Sequence, residues 1–167
     1  MAMKSPKEIF VALLSNAWHG TERETKFYQE LEQYAQDENI KEALDARIFM
    51  TDKVHSALDE CFKLIGEEPL KPNERLLEVF VEDFRREIAE IESPVAKRLF
   101  VLAKLQHLTN LRIGEYMALI AAADMTGEYG VGVLLESCMA IKLAFVERTR
   151  RLIKNVIESR MAAKLAA

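Results

Sequence analysis

Cysteine, histidine, tryptophan, glycine and proline are all scarce in this 167-residue chain: two, three, one, six and four residues. The two cysteines, Cys61 and Cys138, fall on separate helical patterns and form no Cys-x-x-Cys, so neither a disulfide framework nor a thiol-rich metal site is encoded. Buried free thiols are the expectation. Both lie in apolar runs, where a thiolate is disfavoured, and no Gly-x-Ser-x-Gly occurs, which leaves nucleophilic catalysis without support. Half of the glycines gather in Gly127-x-x-Gly130-x-Gly132. That stretch leads into a helix but follows no strand, so it reads as a turn and not as a phosphate loop. Long hydrophobic runs are missing as well. Met117–Ala123 is among the longest and is far too short to span a bilayer. Met1–Phe10 lacks an apolar core followed by a small-residue cleavage site, so the expected location is the cytoplasm. Basic residues are not in excess: 27 acidic against 23 basic residues give a net charge of −4, with no general drive toward nucleic acid.

What is present is helix-spaced apolar residues. A single domain over residues 1–167 is expected, large enough to bury a core. Ser5-Pro6-Lys7-Glu8 combines a cap, a proline at the first helical position and a capping-box glutamate. From there Phe10, Leu14, Ala17, Thr21, Glu24, Tyr28, Leu31 and Ala35 recur at three- and four-residue steps, predicting a first helix from Pro6 to about Gln36. After Asp37-Glu38-Asn39, a second helix carries Ile40, Leu44, Arg47 or Ile48, Thr51, Val54, Leu58, Cys61 and Ile65, with Gly66 as its C-terminal cap. So short a break makes the two helices antiparallel neighbours. Residues 67–93 hold Pro69 and Pro72 and form a crossover with a shorter helix over about Asn73–Glu92. Ser93-Pro94 starts the next helix, with Leu99, Leu102, Gln106, Thr109, Ile113, Tyr116, Ile120 and Ala123. Met125–Gly132 reads as the following loop. The last helix carries Val131, Leu134 or Leu135, Cys138, Ile141 or Lys142, Phe145, Thr149, Leu152 and Val156, fraying over residues 160–167.

The fold class is thus all-α: an antiparallel four-helix bundle with a long crossover that contains an extra, shorter helix between the second and third bundle helices. This is the layout of ferritin-like di-metal proteins, whose centre takes an inward Glu from two helices and a Glu-x-x-His from each of the other two. No Glu-x-x-His occurs in the chain. The core-centre positions read Thr21, Arg47, Met50, Thr109, Arg112 and Lys142.

Two stretches carry a family resemblance. One is Glu8-Ile9-Phe10-Val11-Ala12-Leu13-Leu14-Ser15-Asn16-Ala17-Trp18. The other is Gly114-Glu115-Tyr116-Met117-Ala118-Leu119-Ile120-Ala121-Ala122-Ala123, followed by Gly127 and Leu134-Leu135. Together they resemble the bacterial YciE/YciF-type ferritin-like family, in register over roughly Lys4–Val156. The resemblance implies a ferritin-like bundle, often dimeric, associated with stress responses. It also implies a di-metal site, and here the chain departs from the pattern. Thr21 stands where the family has a glutamate. The second-helix His-x-Glu-Glu-Thr run reads Arg47-Ile48-Phe49-Met50-Thr51. The third-helix carboxylates fall on Thr109 and Arg112, and the last-helix Glu-Glu-Glu run falls on Ala140-Ile141-Lys142. The family's metal ligands therefore do not carry over.

A rearranged iron or manganese site would centre on Glu22 or Glu24, Asp52, His55 and Glu115, with His107 and Glu147 as further contributors and Asp52-x-x-His55 as its nearest approach to a ligand pair. The favoured reading of that pair is a partly exposed i,i+3 hydrogen bond. Charge offers another idea: Arg47, Arg112 and Lys142 lie near one depth, where protein cations can take the place of metal cations, with Glu24 and Glu115 as partners. The sequence leans slightly the other way, toward long side chains that extend outward over an apolar core. An unpaired buried charge would cost several kcal/mol.

The basic tail Arg148, Arg150, Arg151, Lys154, Arg160 and Lys164 reads as a solvated face complementing the helix dipole, with neither nucleic acid nor membrane as partner. The seven Met and eight Phe residues read mostly as core. Trp18, with Phe10 and Leu14, marks either a dimer surface or a core contact. The expectation is a non-enzymatic, metal-free homodimer with a structural or partner-binding role and no cofactor. A di-iron or di-manganese oxidase with a rearranged site is the alternative. A helical adaptor that binds another protein through the crossover or the basic tail is a third possibility.

Overall fold

The computed structural model describes residues 5–72 and 75–165. Five helices follow in order: α1 (Pro6–Glu32), α2 (Glu38–Ile65), α3 (Leu76–Ala89), α4 (Pro94–Thr126) and α5 (Tyr129–Leu165). Their ends are chemically marked. Ser5 and Ser93 accept from the backbone N–H three residues on, each followed by proline, and Asp37 caps α2 through the Asn39 N–H. Gly66 and Gly127 close α2 and α4 at φ +67° and +76°, a backbone region that glycine enters without steric cost.

Four helices form a square. α1 packs on α2 and α4, and α5 packs on α2 and α4, so α1 faces α5 and α2 faces α4 across the diagonals. α3 lies over α1 and α4. Phe84 anchors it, with its ring 5.1 Å from Phe27, 5.7 Å from Tyr34 and 5.8 Å from Phe100. Arg85 adds a two-pronged hydrogen bond to Glu30. The segment before α3 is gripped at Leu70, whose N–H donates to Ser15 Oγ (2.9 Å) and whose carbonyl accepts from His19 Nε2 (2.8 Å).

Several boundaries differ from the sequence expectation. α1 stops at Glu32, because residues 33–37 must reverse the chain and leave Asp37 extended enough to cap α2. α3 ends at Ala89, since the chain must turn before the extended Ser93 and Pro94; the expected start at Asn73 lies outside the described residues. The loop between α4 and α5 is only Gly127 and Glu128, and Gly130 and Gly132 are helical. α5 does not fray at residue 160 but runs on to Leu165; residues 166–167 lie outside the described set. α5 is also long and apolar enough to cross a membrane by length and composition. Glu136 and Lys142 interrupt its apolar run, which is why the sequence shows no continuous span there. In the bundle its Leu135, Cys138, Lys142 and Phe145 face inward and are buried.

The interior has three storeys. Phe10, Leu14, Val54, Leu58, Cys61, Leu119, Leu135 and Cys138 fill one end. Phe27, Leu31, Leu44, Phe84, Leu102, Leu105 and Leu108 fill the other. Between them lies a polar belt of Thr21 and Glu24 from α1, Arg47 and Thr51 from α2, Thr109 and Arg112 from α4, and Lys142 and Thr149 from α5, all buried.

Candidate functional site

The belt is built across the diagonals that the helix backbones leave open. Lys142 on α5 reaches Glu24 on α1, with Nζ 2.8 Å from Oε1 and 2.7 Å from Oε2. Arg47 on α2 reaches Thr109 on α4 (3.0 Å) and also donates to Thr149 Oγ1 (2.5 Å) and the Phe145 carbonyl (3.2 Å) of α5. Arg112 on α4 turns to α1. Its Nη2 donates to the Ala17 carbonyl (2.8 Å) and to Thr21 Oγ1 (3.0 Å). Its Nε makes an ion-pair contact with Glu24 Oε2 at 3.5 Å, and its Nη1 pairs with Glu115.

The threonines have a common role. Thr21, Thr109 and Thr149 each donate to the carbonyl four residues back, at 2.7, 2.7 and 2.9 Å. That fixes the hydroxyl proton along the helix and turns a lone pair toward a guanidinium. Tyr28 links the two halves: its hydroxyl donates to Glu24 and accepts from Arg47 Nη1. Arg47 also lies over the rings of Phe145 (4.5 Å) and Tyr28 (5.5 Å), contacts that favour a desolvated cation. Among the described residues no carboxylate is within ion-pair reach of Arg47.

The charges shift one another. Burial alone would raise the Glu24 pKa, but the Lys142 and Arg112 charges, with hydrogen bonds from Lys142 and Tyr28, hold it below the ordinary carboxylate value. Burial lowers the Lys142 pKa against the pull of Glu24, and the Arg112 and Arg47 charges add to the lowering. Burial opposes the Arg112 charge, yet Glu115 and Glu24 outweigh it and raise its pKa. The Tyr28 hydroxyl is pushed well above its usual range, first by burial and then by Glu24. Burial likewise drives the Cys61 thiol up to about 12 and the Cys138 thiol to about 11, which suppresses the reactive thiolate.

Of the residues read as the core centre, Thr21, Arg47, Thr109, Arg112 and Lys142 meet in the belt. Met50 does not: it is half-buried at the side of α2, because Arg47 and Thr51 define the inward phase and Met50 falls off it. Arg47, Arg112 and Lys142 point inward, so the outward reading of these side chains is corrected. The rearranged ligand set is not assembled. Glu24 is in the belt and Glu115 at its edge on Arg112. Glu22 is exposed and pairs with Lys26 (2.8 Å), and Asp52 is exposed. His55 faces Asp59 at 3.7 Å, not Asp52, and packs on Trp18. Among the described residues no group of three or more His, Cys, Asp or Glu side chains is placed to hold a metal ion.

Trp18 sits half-buried over the α1–α2 seam. Its Nε1 donates to Asp59 Oδ1 (2.7 Å), and its ring lies between His19 and His55. Phe10 and Leu14 are core. Met117, Met125 and Met161 are exposed, contrary to the reading of Met as mostly core, whereas the Phe residues are buried or half-buried apart from Phe49. Gly20 escaped the sequence reading. A Cβ there would stand 2.5 Å from Arg112 Nη1, so the guanidinium occupies the space a side chain would need. The only available signal was a glycine inside a strong helix pattern.

Five helices with a crossover, a square bundle and inward polar residues at mid-depth define a ferritin-like helical bundle. The family model "Domain of unknown function (DUF892)" matches residues 5–162, and the chain belongs to that family, in keeping with the YciE/YciF-type resemblance. The crystal structure of the E. coli stress protein YciF is similar to it at a TM-score of 0.88 and 19% identity, covering 93% of this chain and 99% of that one. YcfI from Rhodopseudomonas palustris, provisionally described as a structural protein, is similar at 0.85 and 18% identity, covering 88% of this chain and 94% of that one. No curated protein matches.

The ferritin-like fold implies a di-metal centre, and the belt residues do not fit one. Such a centre takes several carboxylates and imidazoles around two cations. Here a single central carboxylate is held by protein cations. A dication at Glu24 would compete with an ammonium 2.7 Å from the same oxygen and with the Arg112 guanidinium beside it.

Proposed function

We propose that this chain is a metal-free ferritin-like bundle protein that acts without enzymatic chemistry, as a structural or partner-binding homodimer in a cytoplasmic stress response. One observation carries the reading: the central carboxylate, Glu24, has both oxygens engaged by Lys142, Arg112 and Tyr28. The centre that would bind metal and oxygen in a di-metal bundle is a closed ion-pair network here. Likeness to a stress protein of the same fold supports the stress association.

The surface that favours self-association is the groove between α1 and α4. It is about 540 Å³ and is lined in part by Leu13, Asn110, Gly114 and Ala118. Met117 beside it is 60% exposed. From His107 to Ala123 the charged residues are Arg112, which is buried, and Glu115, which pairs with it. A low-charge strip with a small-residue hollow next to a protruding methionine complements a two-fold copy of itself.

Metal analysis of protein purified after growth with iron and manganese tests the metal-free reading. Sub-stoichiometric metal and no ferroxidase turnover above the free-iron background are expected, and two tightly bound metals per chain would overturn it. Sedimentation velocity tests the dimer: Ala118→Glu is expected to yield monomer with an unchanged circular dichroism spectrum.

A further inference from the structure

Residues Ile157 to Leu165 form the end of α5 and are all exposed; one side of this stretch, at Ser159, Arg160 and Ala163, borders a hollow shared with Ile40, Val95 and Arg98, and the other carries its large apolar residues. Ile157, Met161 and Leu165 recur every four residues and are 47%, 60% and 89% exposed. Steps of four advance about 40° beyond a full turn each time, so the stripe widens into a broad apolar sector. A coiled-coil seam needs steps averaging 3.5, and the position seven residues after Ile157 is Lys164.

The charge around this sector opposes that of the whole protein. Between Glu147 and Leu165 six basic residues stand against two acidic ones, in a chain of net charge −4. Arg148 is taken up by Glu42, while Arg150 and Lys154 make long, exposed contacts with Glu147 (3.8 Å) and Glu158 (3.6 Å). Arg160 and Lys164 pair with no carboxylate among the described residues. Long basic side chains beside an exposed apolar sector can bury their stems while keeping the charge at a polar boundary.

We propose that the exposed end of α5 lies on the surface of a membrane rich in acidic lipids, its apolar sector in the acyl boundary and its cations among the headgroups. The surface around Ile157 and Met161 is lined by α5 residues alone, so this face offers no second wall for a peptide, whereas a planar interface needs none. A second copy is disfavoured because two such basic helix ends repel each other. Nucleic acid would leave the apolar sector uncovered.

The test is co-sedimentation of the full chain with vesicles of phosphatidylcholine alone or enriched in phosphatidylglycerol. Binding to the acidic vesicles only, reversed by high salt, is expected. Met161→Asp with Leu165→Asp, and separately Arg150→Glu with Lys154→Glu, are each expected to weaken binding about tenfold or more. These positions are exposed, so unchanged thermal melts verify the fold. Three outcomes would overturn the proposal: no binding to acidic vesicles at low salt, equal binding to neutral ones, or wild-type affinity in both variants. Loss of self-association in Met161→Asp/Leu165→Asp, with vesicle binding unchanged, would assign the face to a second copy instead.

Discussion

Glu24 and Lys142 meet across a diagonal of the bundle, with Nζ within 2.8 Å of both carboxylate oxygens and neither side chain exposed to solvent. Their helices, α1 and α5, do not pack on each other. The pair therefore joins two elements whose backbones do not pack on each other, at the depth where the two hydrophobic clusters part.

The pair should show a marked asymmetry. Glu24→Gln leaves Lys142 and Arg112 buried without their central counter-charge and is expected to cost about 3–5 kcal/mol. Replacing both partners, Glu24→Leu with Lys142→Met, removes the buried charges together and should cost clearly less than the single change. Urea unfolding of the two variants measures the difference.

The same pair sets an acid limit. The folded Glu24 pKa lies below its ordinary value of 4.5, so the unfolded chain takes up this proton first as pH falls. Its stabilisation is fully present above the unfolded pKa and is lost as pH drops through the folded one. Unfolding free energy measured from neutral pH into the acid range should decline, and the Glu24→Leu/Lys142→Met variant should decline less steeply.

Gly20→Ala should destabilise although alanine is the better helix former by roughly 1 kcal/mol. The new Cβ would stand 2.5 Å from Arg112 Nη1, displacing the guanidinium from Ala17 and Thr21. A net loss of about 1–3 kcal/mol is expected. Gly130→Ala is the control, since a Cβ at that exposed helical position meets nothing within 4 Å; it should leave the melting temperature unchanged or raise it.

Arg47 should behave unlike Glu24. Its partners are hydroxyls, a carbonyl and two rings, and the threonine protons are already donated to their own helices. Arg47→Met removes a buried cation without stranding an opposite charge. It is expected to change stability by no more than about 1–2 kcal/mol in either direction, read by thermal or urea melts. A loss as large as that of Glu24→Gln would show that Arg47 is the stronger anchor.

Much of the fold was legible in local chemistry. Ser5-Pro6, Gly66, Ser93-Pro94 and Gly127 act at the helix ends where their cap chemistry places them, because capping depends on neighbours within one turn. Helix phase likewise brought Thr21, Arg47, Thr109, Arg112 and Lys142 to one depth. Phase does not report where a long side chain bends, which is why the inward course of Arg47 was not legible, and Met50 was misplaced because the inward position there is its neighbour Thr51. The Tyr28 bridge and the Gly20 hollow were invisible for a related reason: each exists only because α2 or α4 delivers a guanidinium to that spot.

By itself, then, the sequence determined the five helices, their caps, the crossover and the loss of the metal-ligand pattern, all consequences of residue type and short-range spacing. Only the tertiary structure decided that three cations turn inward, that Glu24 pairs with Lys142 and Arg112 while Arg47 meets no carboxylate among the described residues, and which threonines accept from the two guanidinium groups. It also left the Ile157, Met161 and Leu165 side chains at the end of α5 exposed. The reason is physical: a charge is buried or solvated according to the partners that distant segments supply, and the chain's order does not state those distances.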